Sequence, residues 1–159
     1  MILGSSTLEP EQSGHLAGRQ LLTRMYKTHV GGSLPAIVTT ERGKPCFVGS
    51  SWYFSISHTD RHVFCALSET PVGIDAEEVD RDIHLGLADK ILSPGEKRQY
   101  AMAEDKRLAL LTFWVLKEAA VKCTGQGLRG YPNDTDFSLD DPRVICRDGC
   151  LVAVIEETK

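Results

Sequence analysis

No stretch of this 159-residue chain approaches the roughly 18 uninterrupted apolar residues of a membrane span, so no membrane partner is expected. The opening Met1-Ile2-Leu3-Gly4-Ser5-Ser6 has neither the basic flank nor the apolar core of a secretion signal, and a cytoplasmic location is expected. There is no basic excess. Lys and Arg total 18 against 22 Asp and Glu, a formal net charge of -4, which argues against a nucleic-acid partner. Cysteine is odd in number. Cys46, Cys65, Cys123, Cys146 and Cys150 are scattered, which in a chain without an export signal suits reduced thiols. Cys146 and Cys150 flank an Arg-Asp-Gly turn with no second ligand pair nearby, and strand residues beside a turn explain them better than zinc does. No biased tract, internal repeat or flexible linker is visible. At 42% hydrophobic and 25% charged residues, the chain has enough apolar material for a core in one domain or two packed halves.

What is present alternates between two periodicities. Gly18, Leu21, Leu22 and Met25 recur at helical spacing, predicting a helix over residues 10–29 that ends at Gly31-Gly32. Arg19, Arg24 and Lys27 lie near its polar side, where a solvated basic face is the simpler account. Strands are predicted at Ala36–Thr40, Cys46–Val48, Tyr53–Ser57, His62–Ser68 and Val72–Glu77. The fourth is apolar on both faces, as a strand in the middle of a sheet would be. Thr59-Asp60-Arg61 should turn the third strand into the fourth as a hairpin. Ser93-Pro94-Gly95-Glu96 is a capping box that starts a helix running to about Ala103. A longer helix follows over Asp105–Cys123, its buried stripe marked by Leu110, Phe113, Leu116 and Ala120, and Gly125 stops it. A loop spans residues 125–134. Phe137, Leu139, Val144–Cys146 and Leu151–Ile155 read as short strands around an Asp148-Gly149 turn. Helix, strands, helices, strands is an α+β order.

Three segments concentrate reactive groups. On a strand, Asp75 and Glu77 of Val72-Gly73-Ile74-Asp75-Ala76-Glu77 present two carboxylates to one side. Such neighbours repel unless a cation or proton lies between them, and oxygen donors of this kind suit magnesium better than zinc. An exposed strand end with solvated acids accounts for the pair equally well. On a helix, Trp114, Glu118 and Lys122 fall along one stripe. Either this is an ordinary surface Glu–Lys pair, or the tryptophan marks a covered stripe in which Glu118 ligates metal or acts as a base and Lys122 neutralises phosphate. Finally, His58 closes the strand segment Ser55-Ile56-Ser57-His58 and faces His62 across a turn. Hydrogen bonding to an anion is a better reading of His58 than a zinc pair with His62.

Taken together and in order, these motifs resemble the 4'-phosphopantetheinyl transferases, specifically the Sfp-type group. The resemblance rests on Gly73-Ile74-Asp75-Ala76-Glu77, then Trp114-Val115-Leu116-Lys117-Glu118-Ala119-Ala120-Val121-Lys122 some forty residues later. Gly43-Lys44-Pro45, Phe54 to His58, Ser93-Pro94-Gly95-Glu96 and Gly125-Gln126-Gly127-Leu128 match as well, so the likeness runs over about residues 15–140. It implies the family fold, a pseudo-dimer of two similar α+β halves, here 1–70 and 71–159. It implies transfer of the phosphopantetheine arm of coenzyme A to a serine of an acyl or peptidyl carrier protein. By the same resemblance Asp75, Glu77 and Glu118 would bind Mg2+, and Glu118 would help deprotonate the serine. Lys122, Ser57 and His58 would lie at the phosphates. Lys44 and Pro45, with Arg24 chosen from the first helix, would hold the adenosine end, and Leu128 would lie near the carrier. The family's single-half group carries its Gly-x-Asp strand near the N-terminus. At residue 73 the motif fits the two-half arrangement and a monomer. A relative that binds coenzyme A or a carrier without catalysis is the rival reading, against which the three clustered carboxylates speak.

Overall fold

A strand that is apolar on both sides must be covered on both sides, and residues 62–68 organise the first part of the fold for that reason. The computed structural model describes residues 1–125 and 135–158. In it β1 (Ile2–Thr7), β4 (Tyr53–His58) and β5 (His62–Ser68) form an antiparallel sheet in the order β1-β5-β4. Val63, Cys65 and Leu67 of β5 pack under α1 (Gly14–His29) against Ala17, Leu21, Leu22 and Met25. Phe64 and Ala66 turn the other way, onto a second sheet. Between α1 and β4, a short hairpin of β2 (Ile37–Thr39) and β3 (Pro45–Phe47) carries Lys44 in its turn.

The second sheet is also antiparallel, in the order β6-β8-β7, from β6 (Val72–Glu78), β7 (Val144–Arg147) and β8 (Cys150–Glu156). Its inner face sends Val72, Ile74, Ala76, Val152 and Val154 against Phe64 and Ala66, so the two sheets share a core. Where β4 lies beside β6, serine hydroxyls link the strands. Ser55 Oγ accepts from Ile74 N at 3.1 Å, and Ser57 Oγ accepts from Ala76 N at 3.2 Å. The β7–β8 turn has Asp148 and Gly149 at φ of 52° and 74°. Positive φ at both positions is the primed turn that matches strand twist, for which Asp-Gly is a preferred pair.

The outer face of the second sheet receives α4 (Lys106–Thr124), with α2 (Ala88–Ile91) and α3 (Pro94–Met102) beside it. The capping box is present: Glu96 N donates to Ser93 Oγ at 3.1 Å, and Ser93 N to Glu96 Oε2 at 2.9 Å. Glu96 does more than cap. Its carboxylate meets Lys117 Nζ at 2.8 Å, with both side chains fully buried, and accepts from Phe137 N at 3.0 Å. One acid therefore joins the start of α3, the middle of α4 and the chain returning toward β7.

The structure differs from expectation at several places, the unanticipated α2 among them. β1 was not anticipated, because Ile2–Thr7 shows no alternation and only intermediate burial at the sheet edge. α1 starts at Gly14 rather than residue 10, capped by Ser13, whose side chain accepts from Leu16 N at 3.3 Å. Phe137 and Leu139 lie in no strand, since Phe137 N is taken by Glu96 and Leu139 N by Gln99. Ala120 is only partly buried, whereas Leu111, Val115 and Ala119 join the covered stripe. Apart from Gly125, the loop expected over 125–134, with Leu128, lies outside the described residues.

Removing one partner of a fully buried ion pair leaves an uncompensated charge, a loss of about 3–5 kcal/mol. Lys117→Met should therefore destabilise the protein by that amount in urea denaturation. Combining it with Glu96→Gln should recover part of the loss.

Candidate functional site

From Ala109 to Cys123, α4 is buried at every position except Trp114, Glu118, Ala120 and Lys122, which are half-buried. A helix enclosed on nearly all sides offers no ordinary solvated face. The stripe of 114, 118 and 122 is thus the place where α4 opens, and its side chains are half-covered rather than freely solvated.

The strand beneath this stripe is β6, and Gly73 sets how close the helix comes. A methyl group on Gly73 would lie 2.0 Å from Ala119 O and 2.3 Å from Cys123 N, inside the helix backbone. With no side chain there, α4 rests on the strand itself. Asp75 then meets Lys122, and Glu77 meets Trp114. The strand period of two, which directs 73, 75 and 77 to one face, produces this ladder of contacts.

Asp75 is the buried centre. Its Oδ1 accepts from Lys122 Nζ at 2.6 Å and from Ser57 Oγ at 3.1 Å. Its Oδ2 is buried and accepts no hydrogen bond among the described residues. Burial pushes the carboxyl pKa above its ordinary value; Lys122 opposes the rise and Glu77 adds to it. Ser57, expected at the coenzyme, is itself buried, donating to Asp75 and accepting from Ala76 N and, at 3.4 Å, from Lys122 Nζ. It positions Asp75.

Glu77 accepts from Trp114 Nε1 at 3.1 Å and pairs with the Arg81 guanidinium. Glu118 is half-buried, with one carboxylate oxygen enclosed. The three acids expected to hold metal are thus on adjoining faces of β6 and α4. Among the described residues they are not gathered to within 4.8 Å of one another, and Glu77 is engaged by Arg81 and Trp114. The donor chemistry nevertheless fits a hard divalent ion. All the donors are carboxylate oxygens, and leaving a buried acceptor unsatisfied costs about 1–3 kcal/mol, which a cation at Oδ2 would relieve.

Beside Lys122 opens a cavity of about 440 Å³. Among the described residues its walls hold Arg19, Arg42, Lys44, Lys122, His15 and His58, with Glu118 as the one acid and Pro45, Phe54, Ile56 and Val121 as apolar lining. Six basic side chains around one cavity contrast with a net charge of -4 for the whole chain. Lys44 reaches across to donate to Cys123 O, and burial lowers its ammonium pKa. His58 is exposed at the end of β4, under Gly14 of α1, and borders this cavity as well as a second groove.

Arg24 is not part of this wall. It is exposed, whereas Arg19 lines the cavity. Five residues along an α-helix is roughly 140° of rotation, so the two arginines cannot share a face. His15 and Arg42 were not singled out beforehand. His15 stands one turn before Arg19 on the same face of α1, a signal that helical spacing carries and that would have selected Arg19. Arg42 adjoins Gly43-Lys44 in one turn.

Residues 71–147 match the family model described as the 4'-phosphopantetheinyl transferase superfamily. The chain is 34% identical over 121 residues to 4'-phosphopantetheinyl transferase Sfp of Bacillus subtilis, covering 72% of this chain and 51% of that protein. It is 34% identical over 90 residues to 4'-phosphopantetheinyl transferase gsp of Aneurinibacillus migulanus, 55% of this chain and 37% of that one. Over 80 residues it is 35% identical to 4'-phosphopantetheinyl transferase psf-1 of Bacillus pumilus, 49% and 34% of the respective chains. It spans between about a third and a half of the length of these relatives. The chain belongs to the 4'-phosphopantetheinyl transferase superfamily. Within it, the likeness is to the Sfp-type members.

Because the obstruction at Gly73 is helix backbone, Gly73→Ala cannot be absorbed by a side-chain rotation. We expect a stability loss of about 3 kcal/mol, the upper end of overpacking costs, measured by urea denaturation.

Proposed function

We propose that this chain transfers the 4'-phosphopantetheine arm of coenzyme A to a serine of an acyl or peptidyl carrier protein. The observation that carries the reading is a basic cavity walled by Glu118 and by Lys122, whose ammonium reaches the buried Asp75 carboxylate at 2.6 Å. Arg19, Arg42 and Lys44 would bind the adenosine phosphates, and His58 and Lys122 the pyrophosphate. Asp75, Glu77 and Glu118 would hold Mg2+. When bound, the ion supplies neutralisation of pyrophosphate charge, the main requirement of phosphoryl transfer.

In the transfer, the carrier serine oxygen bonds to the phosphorus that bears the pantetheine arm. The pyrophosphate bond breaks, and the adenosine bisphosphate departs with the bonding electrons. Glu118, half-buried at the cavity wall, would take the serine proton. Lys122 has two duties, holding Asp75 in place and offsetting negative charge on the substrate. Ser57 fixes Asp75 from the opposite side.

We also read residues 1–70 and 71–159 as the two halves of a pseudo-dimer acting as a monomer. Each half places one helix on a three-stranded antiparallel sheet, and the cavity draws residues 15–58 from one and 118–125 from the other. The first half would contribute most of the phosphate contacts, and the second the acids.

Incubation with Mg2+, coenzyme A and an apo-carrier panel, followed by mass measurement of the carriers, tests the proposal. Glu118→Gln should lower the rate by about 10²–10⁴-fold, the usual contribution of a general base. Asp75→Asn should reduce it at least as severely, with unchanged circular dichroism for both variants. Wild-type protein that binds coenzyme A yet modifies no carrier would support the non-catalytic rival.

Arg19→Ala should raise KM for coenzyme A roughly tenfold, equivalent to about 1.4 kcal/mol, with little change in kcat. Arg24→Ala should leave both constants near wild type. Steady-state kinetics on one carrier separates the two arginines.

A further inference from the structure

β6 has a second face. The period of two that turns Asp75 and Glu77 toward α4 turns Glu78 toward the first sheet. There Glu78 meets His62 from the start of β5 and Cys150 from the start of β8. His62 Nδ1 lies 3.4 Å from Glu78 Oε1 and 3.7 Å from Cys150 Sγ, and all three donor atoms fall within 4.8 Å of one another. Among the described residues this is the one group of three or more such ligands so closely gathered.

Those separations are the ones zinc imposes. Tetrahedral bonds of about 2.0–2.1 Å to nitrogen and oxygen and about 2.3 Å to sulfur put donor atoms roughly 3.3–3.6 Å apart. We propose that His62, Glu78 and Cys150 form a zinc site joining the two sheets, separate from the magnesium-type acids on the opposite face of β6.

The surroundings support the ligands. Arg61 holds the other carboxylate oxygen of Glu78 at 2.7 Å, and Thr59 donates to Oε1, orienting the group as outer partners of metal ligands do. An oxygen with two lone pairs can keep one such bond while it ligates. Charge also balances. Arg61 pairs with Glu78 and with Asp80 at 2.7 Å, leaving one net negative charge among the three. Binding releases the Cys150 thiol proton to solvent as the metal–sulfur bond forms, and the thiolate adds the second negative charge that a divalent ion cancels. The thiolate makes the site one for zinc rather than magnesium. Glu78 also lines a groove with Thr59, Asp60, Arg61 and Asp80, the side from which the metal and a water as fourth ligand would enter.

The test uses the whole chain, reduced and stripped of metal, in excess Mg2+ so that the carboxylate site is not the one reporting. Cobalt(II) serves as the visible probe. One equivalent should produce a thiolate-to-cobalt charge-transfer band, and one equivalent of Zn2+ should abolish it. Saturating Zn2+ should raise the melting temperature by about 5 °C or more. Cys150→Ser and His62→Gln should each remove the band and weaken Zn2+ binding at least tenfold, whereas Cys146→Ser should keep both. Should Cys150→Ser fail to fold, His62→Gln decides alone. A band that survives His62→Gln, or no stoichiometric cobalt binding by the folded wild type, overturns the proposal. None of these readouts depends on transferase activity.

Discussion

The approach of α4 to β6 over Gly73 is the constraint on which the site depends. Helices normally rest on sheets through a layer of side chains, whereas here helix backbone meets strand backbone. At that separation, side chains two and four residues along the strand reach the helix directly. Asp75 can then take Lys122 at 2.6 Å, and Glu77 can take the Trp114 indole at 3.1 Å. A side chain at 73 would lift the helix and separate these partners together. The glycine and the two acids of the motif are therefore one geometric statement.

Two buried ion pairs flank that contact, and they differ in kind. Glu96 and Lys117 are fully enclosed, and the acid's remaining capacity is used by Ser93 N and Phe137 N. Such a pair has little left to offer a ligand; it fixes the rotation and position of α4. Asp75 and Lys122 are only partly enclosed on the lysine side, and Asp75 keeps an oxygen without a donor among the described residues. Raising a carboxyl pKa by burial while leaving an acceptor open is unfavourable for stability alone. Open capacity beside a basic cavity belongs to binding, whereas closed capacity belongs to the fold.

Much of this was legible in the sequence because local chemistry and tertiary role agree. The capping box at Ser93 and the Asp148-Gly149 turn are short-range signals that nothing distant overrides. β5 showed its central place through apolar residues on both faces. Where the two levels part, the reading failed. Ile2–Thr7 is a strand because β5 offers a free edge, which no local pattern announces. Phe137 resembles a strand residue by type, but Glu96, 41 residues away, claims its amide. The basic residues of α1 looked like a solvated face, since the surface that makes one side of them a cavity wall comes from β3, β4 and α4. Lys117 sat in plain view inside a motif, yet only its burial reveals that it serves the core.

The same division explains why the thiols and histidines were hard to place. Adjacent spacing offers His58 with His62 and Cys146 with Cys150, each across one turn, and neither pairing was favoured. Strand alternation sends the members of such pairs to different surroundings. His58 is exposed beside the basic cavity, while His62 is half-buried against Glu78. Cys146 is exposed, while Cys150 is buried. The partners that meet are 88 residues apart, His62 and Cys150, joined through Glu78 at the end of β6. β6 lies between both constellations and borders both sheets' shared core, so its two faces carry separate chemistry. Oxygen donors on the α4 side and mixed nitrogen, sulfur and oxygen donors on the other would select different ions by softness alone. One seven-residue strand can hold both because alternate side chains do not share an environment.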